Sequence, residues 1–405
     1  MTTLRFSFWL ALLAGFTAVA QPTTSDRDET RRRIKATLFV PDPLPALQTE
    51  TYGQMEPAAG VVAERVSYAT GYGLRVPAIV YRPKELPSSK MPGLVVVNGH
   101  GGDKYSWYAY YAGILYARAG AVVLTYDPIG EGERNAERKS ATGQHDQYVD
   151  PPEMGRRMGG LMITDIMQGV SYLSGRRDVD SKRLAILGFS MGSFVSGLTC
   201  AIETRANSCV LVGGGNLDGP GGYWDSSGHK MCQAIPYQSL MFLGDRGAVL
   251  YDLAAARGGT FIMNGSADKV VYEDGKSVQF FEDLRKRTIA LHGSETNVFE
   301  FTFEQGGLHR PYFLTRVAAL WLEKRLDFPN WTPEKVAGMP DTPMSEYERM
   351  PAAAGQTPAT TRALGSGIPV VAHDLLNSLP LDRWERDKEK YIYETWLKEA
   401  KRLLR

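Results

Sequence analysis

Ser190 lies in Gly188-Phe189-Ser190-Met191-Gly192, between the apolar run 184–187 and a helix-like stretch at 192–202. The five-residue motif alone says little in a chain of 405 residues with 42 glycines. The context says more. A strand, a sharp turn carrying serine and then a helix is the nucleophile elbow, which raises a hydroxyl above the end of a sheet. Gly188 and Gly192 are expected to be steric necessities of so tight a turn. The bland alternative is an ordinary strand–helix turn with an incidental serine.

A serine hydroxyl needs a base, and the base needs an orienting acid. Six histidines are available, and His309 in Gln305-Gly306-Gly307-Leu308-His309 follows the last expected strand. Such a loop is where ligands bind in open α/β sheets. Asp268, in Asn264-Gly265-Ser266-Ala267-Asp268, follows the strand before it. The chain order Ser190, Asp268, His309 belongs to one of three unrelated triad architectures. The developing oxyanion needs fixed donors, typically worth about 3–4 kcal/mol each. One is expected from the Met191 N–H, and the second from Gly101 or Gly102 of Gly99-His100-Gly101-Gly102, with the choice open. His100 itself reads as structural.

These residues need a scaffold. Short apolar runs at 93–97, 121–126, 184–187, 209–212, 260–263 and 298–303 read as strands, the first four too apolar to be half-exposed. Helix-like segments at 106–119, 158–174, 192–202, 275–286 and 311–325 alternate with them. The alternation predicts an α/β fold with a mostly parallel sheet and helices on both faces. Residues 62–69 and 74–81 read as an antiparallel hairpin, and Ser25-x-x-Asp28 as a capping box opening a helix to about residue 38. Residues 216–257 break the rhythm and read as a small cap, with Tyr223, Trp224, His229 and Tyr237 as candidates for the substrate pocket. Aromatics there are as often packing residues. The expected division is 1–20 signal peptide, 21–61 helix and extended segment, 62–327 catalytic domain, and 328–405 C-terminal extension. Within that extension 340–369 reads as an extended or mobile connection and 383–405 as one helix with a stripe of Ile392, Trp396, Ala400 and Leu403.

Arg5, an apolar stretch at 6–20 and Ala18-Val19-Ala20 resemble a cleavable export signal, shorter than the about 20 residues that span a membrane. The expected location is therefore periplasmic or secreted, with no stable membrane insertion after cleavage. A net charge of +1 offers no basis for binding nucleic acid. Cys200, Cys209 and Cys232 form neither a disulfide framework nor a zinc site. A Cys200–Cys209 bridge and three reduced thiols both remain open. Oligomeric state leaves no signature.

With Asn98-Gly99-His100-Gly101-Gly102, Tyr126-Asp127-Pro128-Ile129-Gly130-Glu131-Gly132 and the three motifs above, the chain resembles the α/β-hydrolase superfamily over about 62–326. In particular it is similar to exported bacterial esterases of the dienelactone hydrolase and acetyl xylan esterase kind. The resemblance implies a Ser190/His309/Asp268 triad, no cofactor and no metal, with the Asp127–Gly132 loop bordering the site and Glu131 holding a turn. Dienelactone hydrolases proper use a cysteine nucleophile, so Ser190 points away from their substrate. The implied activity is hydrolysis of carboxylic esters through an acyl-enzyme, on a small-molecule or carbohydrate ester, with acetyl or aromatic esters of sugars suggested by export. Two rivals are a serine peptidase of the prolyl-oligopeptidase type and a non-catalytic binding protein on the same fold. The segment before the core is too short for the propeller that such peptidases usually carry.

Overall fold

The computed structural model describes residues 21–147, 150–226, 232–347, 361–370 and 376–404. The expected signal segment, His229 and His373 lie outside the described residues. Nine strands form one sheet: β1 (Glu50–Ala58), β2 (Val61–Ala69), β3 (Arg75–Pro83), β4 (Met91–Val97), β5 (Val122–Tyr126), β6 (Val179–Phe189), β7 (Ser208–Val212), β8 (Gly259–Gly265) and β9 (Glu300–Glu304). Their spatial order is β1-β2-β3-β5-β4-β6-β7-β8-β9. The first three strands and β5 pair antiparallel, and every pairing from β5 through β4 to β9 is parallel.

Period-two alternation divides the apolar strands between two cores. Val95, Leu124, Ile186, Leu211 and Ile262 face one. Leu94, Val123, Leu187, Val210 and Phe261 face the other. The first core is closed by α1 (Thr24–Thr37), α3 (Pro152–Ser174), α4 (Met191–Ile202) and the helices Arg246–Ala255 and Val278–His292. The second is closed by α2 (Trp107–Arg118) and the helix Arg316–Leu326. This two-sided cover is why the central runs carry so few polar residues.

Several expectations shift. The capping box of α1 is Thr23 with Asp26, two residues earlier than read, and both of its reciprocal bonds form. β1 was not expected as a strand. The helix Arg246–Ala255 packs into a flanking layer against α4, so only the first part of the expected cap overlies the sheet's rim. The terminal helix is two helices, Leu381–Asp387 and Tyr393–Arg402. In the second, Trp396 and Ala400 are buried while Leu403 is exposed. Within 340–369 the described residues form a small antiparallel pair, Asp341–Pro343 with Arg362–Leu364. Cys200 and Cys209 are bridged, and Cys232 is a buried free thiol.

The residues after 327 are tied to the core by a buried ionic layer. Lys104, Asp127 and Glu133 are fully buried, with Lys104 Nζ paired to Asp127 and lying 2.8 Å from Glu133. The Glu133 carboxylate accepts from the backbone amides of Ser378 (2.8 Å) and Leu379 (3.0 Å), and its carbonyl accepts from Trp384 Nε1 (2.8 Å).

Candidate active site

The turn between β6 and α4 places Ser190 at φ 56° and ψ −121°, a left-handed conformation that a serine adopts only when its surroundings impose it. Those surroundings leave no room for side chains. A Cβ on Gly188 would lie 2.4 Å from the Gly192 carbonyl oxygen, and one on Gly192 would lie 2.5 Å from those of Val97 and Asn98. The Ser190 amide donates to the Val212 carbonyl (2.9 Å), which fixes the elbow to the end of β7. Helix α4 starts at Met191, so its unpaired first amides face the same rim.

Asp268 follows β8. Its Oδ1 accepts from the amides of Val270 (2.7 Å) and Val271 (3.1 Å), and its Oδ2 from His309 Nδ1 (2.7 Å). Burial pushes the Asp268 carboxyl up, but the His309 bond and charge and the two amides outweigh it, holding the group below the usual carboxylate range. With Nδ1 committed as donor, Nε2 is the nitrogen left to take a proton. The imidazole rests on the strand ends beside Ser190. Its ring is 4.8 Å from that of Phe189, and a Cβ on Gly213, at φ +63°, would come within 2.9 Å of it. His309 and Asp268 are thus joined across two strand-end loops, and the elbow that carries Ser190 borders the same imidazole through Phe189. No hydrogen bond joins Ser190 to His309 among the described residues. Catalytic bonds of this kind often tighten only when substrate binds.

An open cleft passes over the elbow, with His100, Ser190, Met191, Trp224, Gln233 and Tyr272 among its walls. The second oxyanion donor is narrowed. The Gly102 amide closes a turn onto the Gly99 carbonyl (3.0 Å), so it is not free to serve. Among the described residues the Gly101 amide makes no hydrogen bond, and the same holds for the neighbouring His100 amide. Trp224 reaches the cleft, held by its Nε1 donating to the Asn216 carbonyl (3.0 Å). Tyr223 stands behind it, stacked on Tyr272 with ring centroids 3.5 Å apart. Tyr237 is fully buried and packs against Phe194, so it is not a pocket residue. His229 lies outside the described residues.

Two contributors were missed. Tyr272 forms a wall of the cleft just beyond Asp268, where a turn was the only signal. Buried Asn264 accepts from the Gly214 amide (2.9 Å) and donates to the Gly214 (2.9 Å) and Gly275 (2.8 Å) carbonyls, fixing the loop beneath His309. An amide side chain closing an apolar strand was a usable sign of that role.

No family model matches the chain. Over 112 residues it is 30% identical to "Putative hydrolase YtaP" of Bacillus subtilis (strain 168), a match spanning 25% of this chain and only 36% of that relative. Two solved structures superimpose more widely. "Methylesterase BT1017" does so at TM-score 0.54 and 18% identity, over 79% of this chain and 68% of that one. A glucuronoyl esterase from Solibacter usitatus does so at TM-score 0.53 and 12% identity, over 75% and 92%. Together with the strand order and the elbow, these similarities establish that the chain has the α/β-hydrolase fold.

Proposed function

We propose that the protein is an exported serine hydrolase of carboxylic esters, acting on esters carried by carbohydrates. The observation that carries this reading is the strained Ser190 at the floor of a cleft, beside an imidazole already oriented by a buried carboxylate. Ser190 Oγ attacks the ester carbonyl as His309 Nε2 takes its proton. Asp268 stabilises the imidazolium and holds its orientation. The tetrahedral oxyanion accepts from the Met191 amide and from the free amide of Gly101 or His100. Collapse expels the alcohol, which takes the proton from His309. Water then attacks the acyl-enzyme by the same route and frees the acid and Ser190.

Carbohydrate esters are favoured because both wider structural neighbours bear esterase names, one of them glucuronoyl, and because Tyr272, with the buried Trp224 beside it, lines the cleft next to the elbow. Export is supported by the Cys200–Cys209 bridge, which persists in oxidising compartments, and by the N-terminal pattern. Among the described residues no helix is long and apolar enough to cross a membrane.

A fluorophosphonate probe tests the chemistry. Labelling of wild type at Ser190, absent in Ser190→Ala and in denatured protein, is expected. Native protein left unlabelled would refute a catalytic serine. A panel of methyl, acetyl and feruloyl sugar esters against peptides then separates esterase from peptidase.

A further inference from the structure

Beside the elbow, four side chains from three distant segments come together. His100 lies after β4, His145 and Asp146 lie in the loop after β5, and Cys232 lies in the segment over the cleft. One potential ligand atom from each falls within 4.8 Å of all the others. His100 Nε2 is 2.8 Å from Asp146 Oδ2 and 3.7 Å from Cys232 Sγ. The Cys232 amide donates to the other Asp146 oxygen (2.7 Å), which pins thiol and carboxylate to one another.

A second observation points to a missing partner. His145 is only 1% exposed, yet among the described residues neither ring nitrogen makes a well-formed hydrogen bond, the Ile129 backbone giving it only a weak contact. A buried polar group left unmatched costs about 1–3 kcal/mol, so native structures rarely leave one without a reason. Nδ1 faces Glu131 Oε1 at 3.8 Å, and that oxygen is likewise buried without a partner. This is the arrangement in which a metal-bound histidine turns its second nitrogen to a carboxylate. Nε2 is then the atom free for an ion.

We propose that His100, His145, Asp146 and Cys232 form a binding site for one zinc ion in the wall of the cleft, with Glu131 supporting His145. Two imidazoles, a carboxylate and a thiolate suit tetrahedral zinc, whose bonds of about 2.0–2.3 Å place ligand atoms roughly 3.3–3.8 Å apart. The widest separation, 4.8 Å, reaches that range by closing about 1 Å, and the His100–Asp146 pair, at 2.8 Å, by opening about 0.5 Å. Two neutral imidazoles with one carboxylate and one thiolate balance the charge of Zn²⁺. The Cys232 thiol gives up its proton to solvent as the Zn–S bond forms, so no oxidant or reductant is needed. The ion joins the loop after β4, the loop after β5 and the segment over the cleft, three pieces of chain that no other bond among these four side chains ties as firmly. The cluster escapes sequence inspection because neither the single cysteine nor the paired histidine and aspartate has the spacing of a known zinc motif.

The test is zinc binding by the metal-stripped full chain, in competition with a chromophoric chelator. One equivalent at submicromolar Kd is expected, weakened about 100-fold or more in Cys232→Ser and in His145→Ala, and unchanged in Ser190→Ala. X-ray absorption of the wild-type zinc form should show one sulfur at about 2.3 Å among nitrogen and oxygen ligands. This holds the proposal open to refutation even if a variant fails to fold. No stoichiometric uptake at micromolar zinc, affinity unchanged in both ligand variants, or a zinc shell without sulfur would each overturn it.

Discussion

Two clusters of ionisable residues lie a short way apart under the same rim, and they are built on opposite terms. In the layer of Lys104, Asp127 and Glu133 every charge is fully buried and pinned from several directions. At Ser190, Asp268 and His309 only the carboxylate is sealed, and the imidazole keeps one nitrogen uncommitted beside an open cleft. The first arrangement fixes chain to chain. The second leaves one polar atom short of a partner until a substrate supplies it. Pairing distance does not tell them apart: His292 Nδ1 also sits 2.7 Å from a carboxylate, that of Asp252. Asp252, however, already holds Arg27 through two hydrogen bonds of 2.8 and 2.9 Å, on a flanking helix rather than at a strand end. What marks the proposed catalytic pair is its place, on two strand-end loops against the elbow.

Substitutions at the rim should remove activity and leave the fold. Ser190→Ala is expected to lower kcat on an aryl acetate by roughly 10⁵–10⁶-fold, with Tm within a degree or two of wild type. Asp268→Asn should cost roughly 10³–10⁴-fold, because the amide no longer holds His309 in the tautomer that frees Nε2. Turnover of Asp268→Asn within a factor of ten of wild type would assign the orienting role elsewhere.

The buried layer should answer in the opposite sense. Lys104→Met removes the cation facing Asp127 and Glu133 and strands two buried carboxylates. A loss of about 3–5 kcal/mol is expected in urea unfolding, with near-normal turnover in the fraction that remains folded. Adding Asp127→Asn and Glu133→Gln should recover part of that loss. A Lys104→Met variant as stable as wild type but inactive would erase the distinction between the two clusters.

How visible each region was in the sequence follows the same division. β4 to β8 were readable because strands covered on both faces must be apolar. β1 was not, since it is an edge strand with exposed positions, Gly53 and Pro57. The break between the last two helices turns on local geometry that a continuous apolar stripe conceals. The proposed triad could be read from the sequence because its candidate nucleophile, acid and base each occupy a strand-end loop in an ordered sequence. Gly102 was not separable from Gly101, since only backbone geometry shows which amide is spent. The buried layer was scarcely visible: Asp127 stood out only within a loop motif, and Lys104 and Glu133 look like ordinary surface charges until folding brings them together.

The proton balance of that layer is open to a pH test. Asp103 is buried near it, accepting from the Tyr105 amide (2.7 Å) and the Ser140 hydroxyl. Burial, and then the negative charge of Asp127, push its carboxyl up to about 8 against the opposing pull of Lys104, with Glu131 adding to the rise. The folded state therefore favours the protonated form. Its contribution to stability is complete below the ordinary carboxylate range and is lost as pH rises towards about 8. Asp103→Asn keeps both hydrogen bonds, with Nδ2 donating to the Ser140 oxygen, and has no proton to lose. The Tm profiles of wild type and variant should run together near pH 4 and separate steadily above it, with the variant the more stable at pH 9. Parallel profiles across that range would mean that Asp103 ionises at no cost, and that the layer tolerates a further negative charge that its single lysine does not balance.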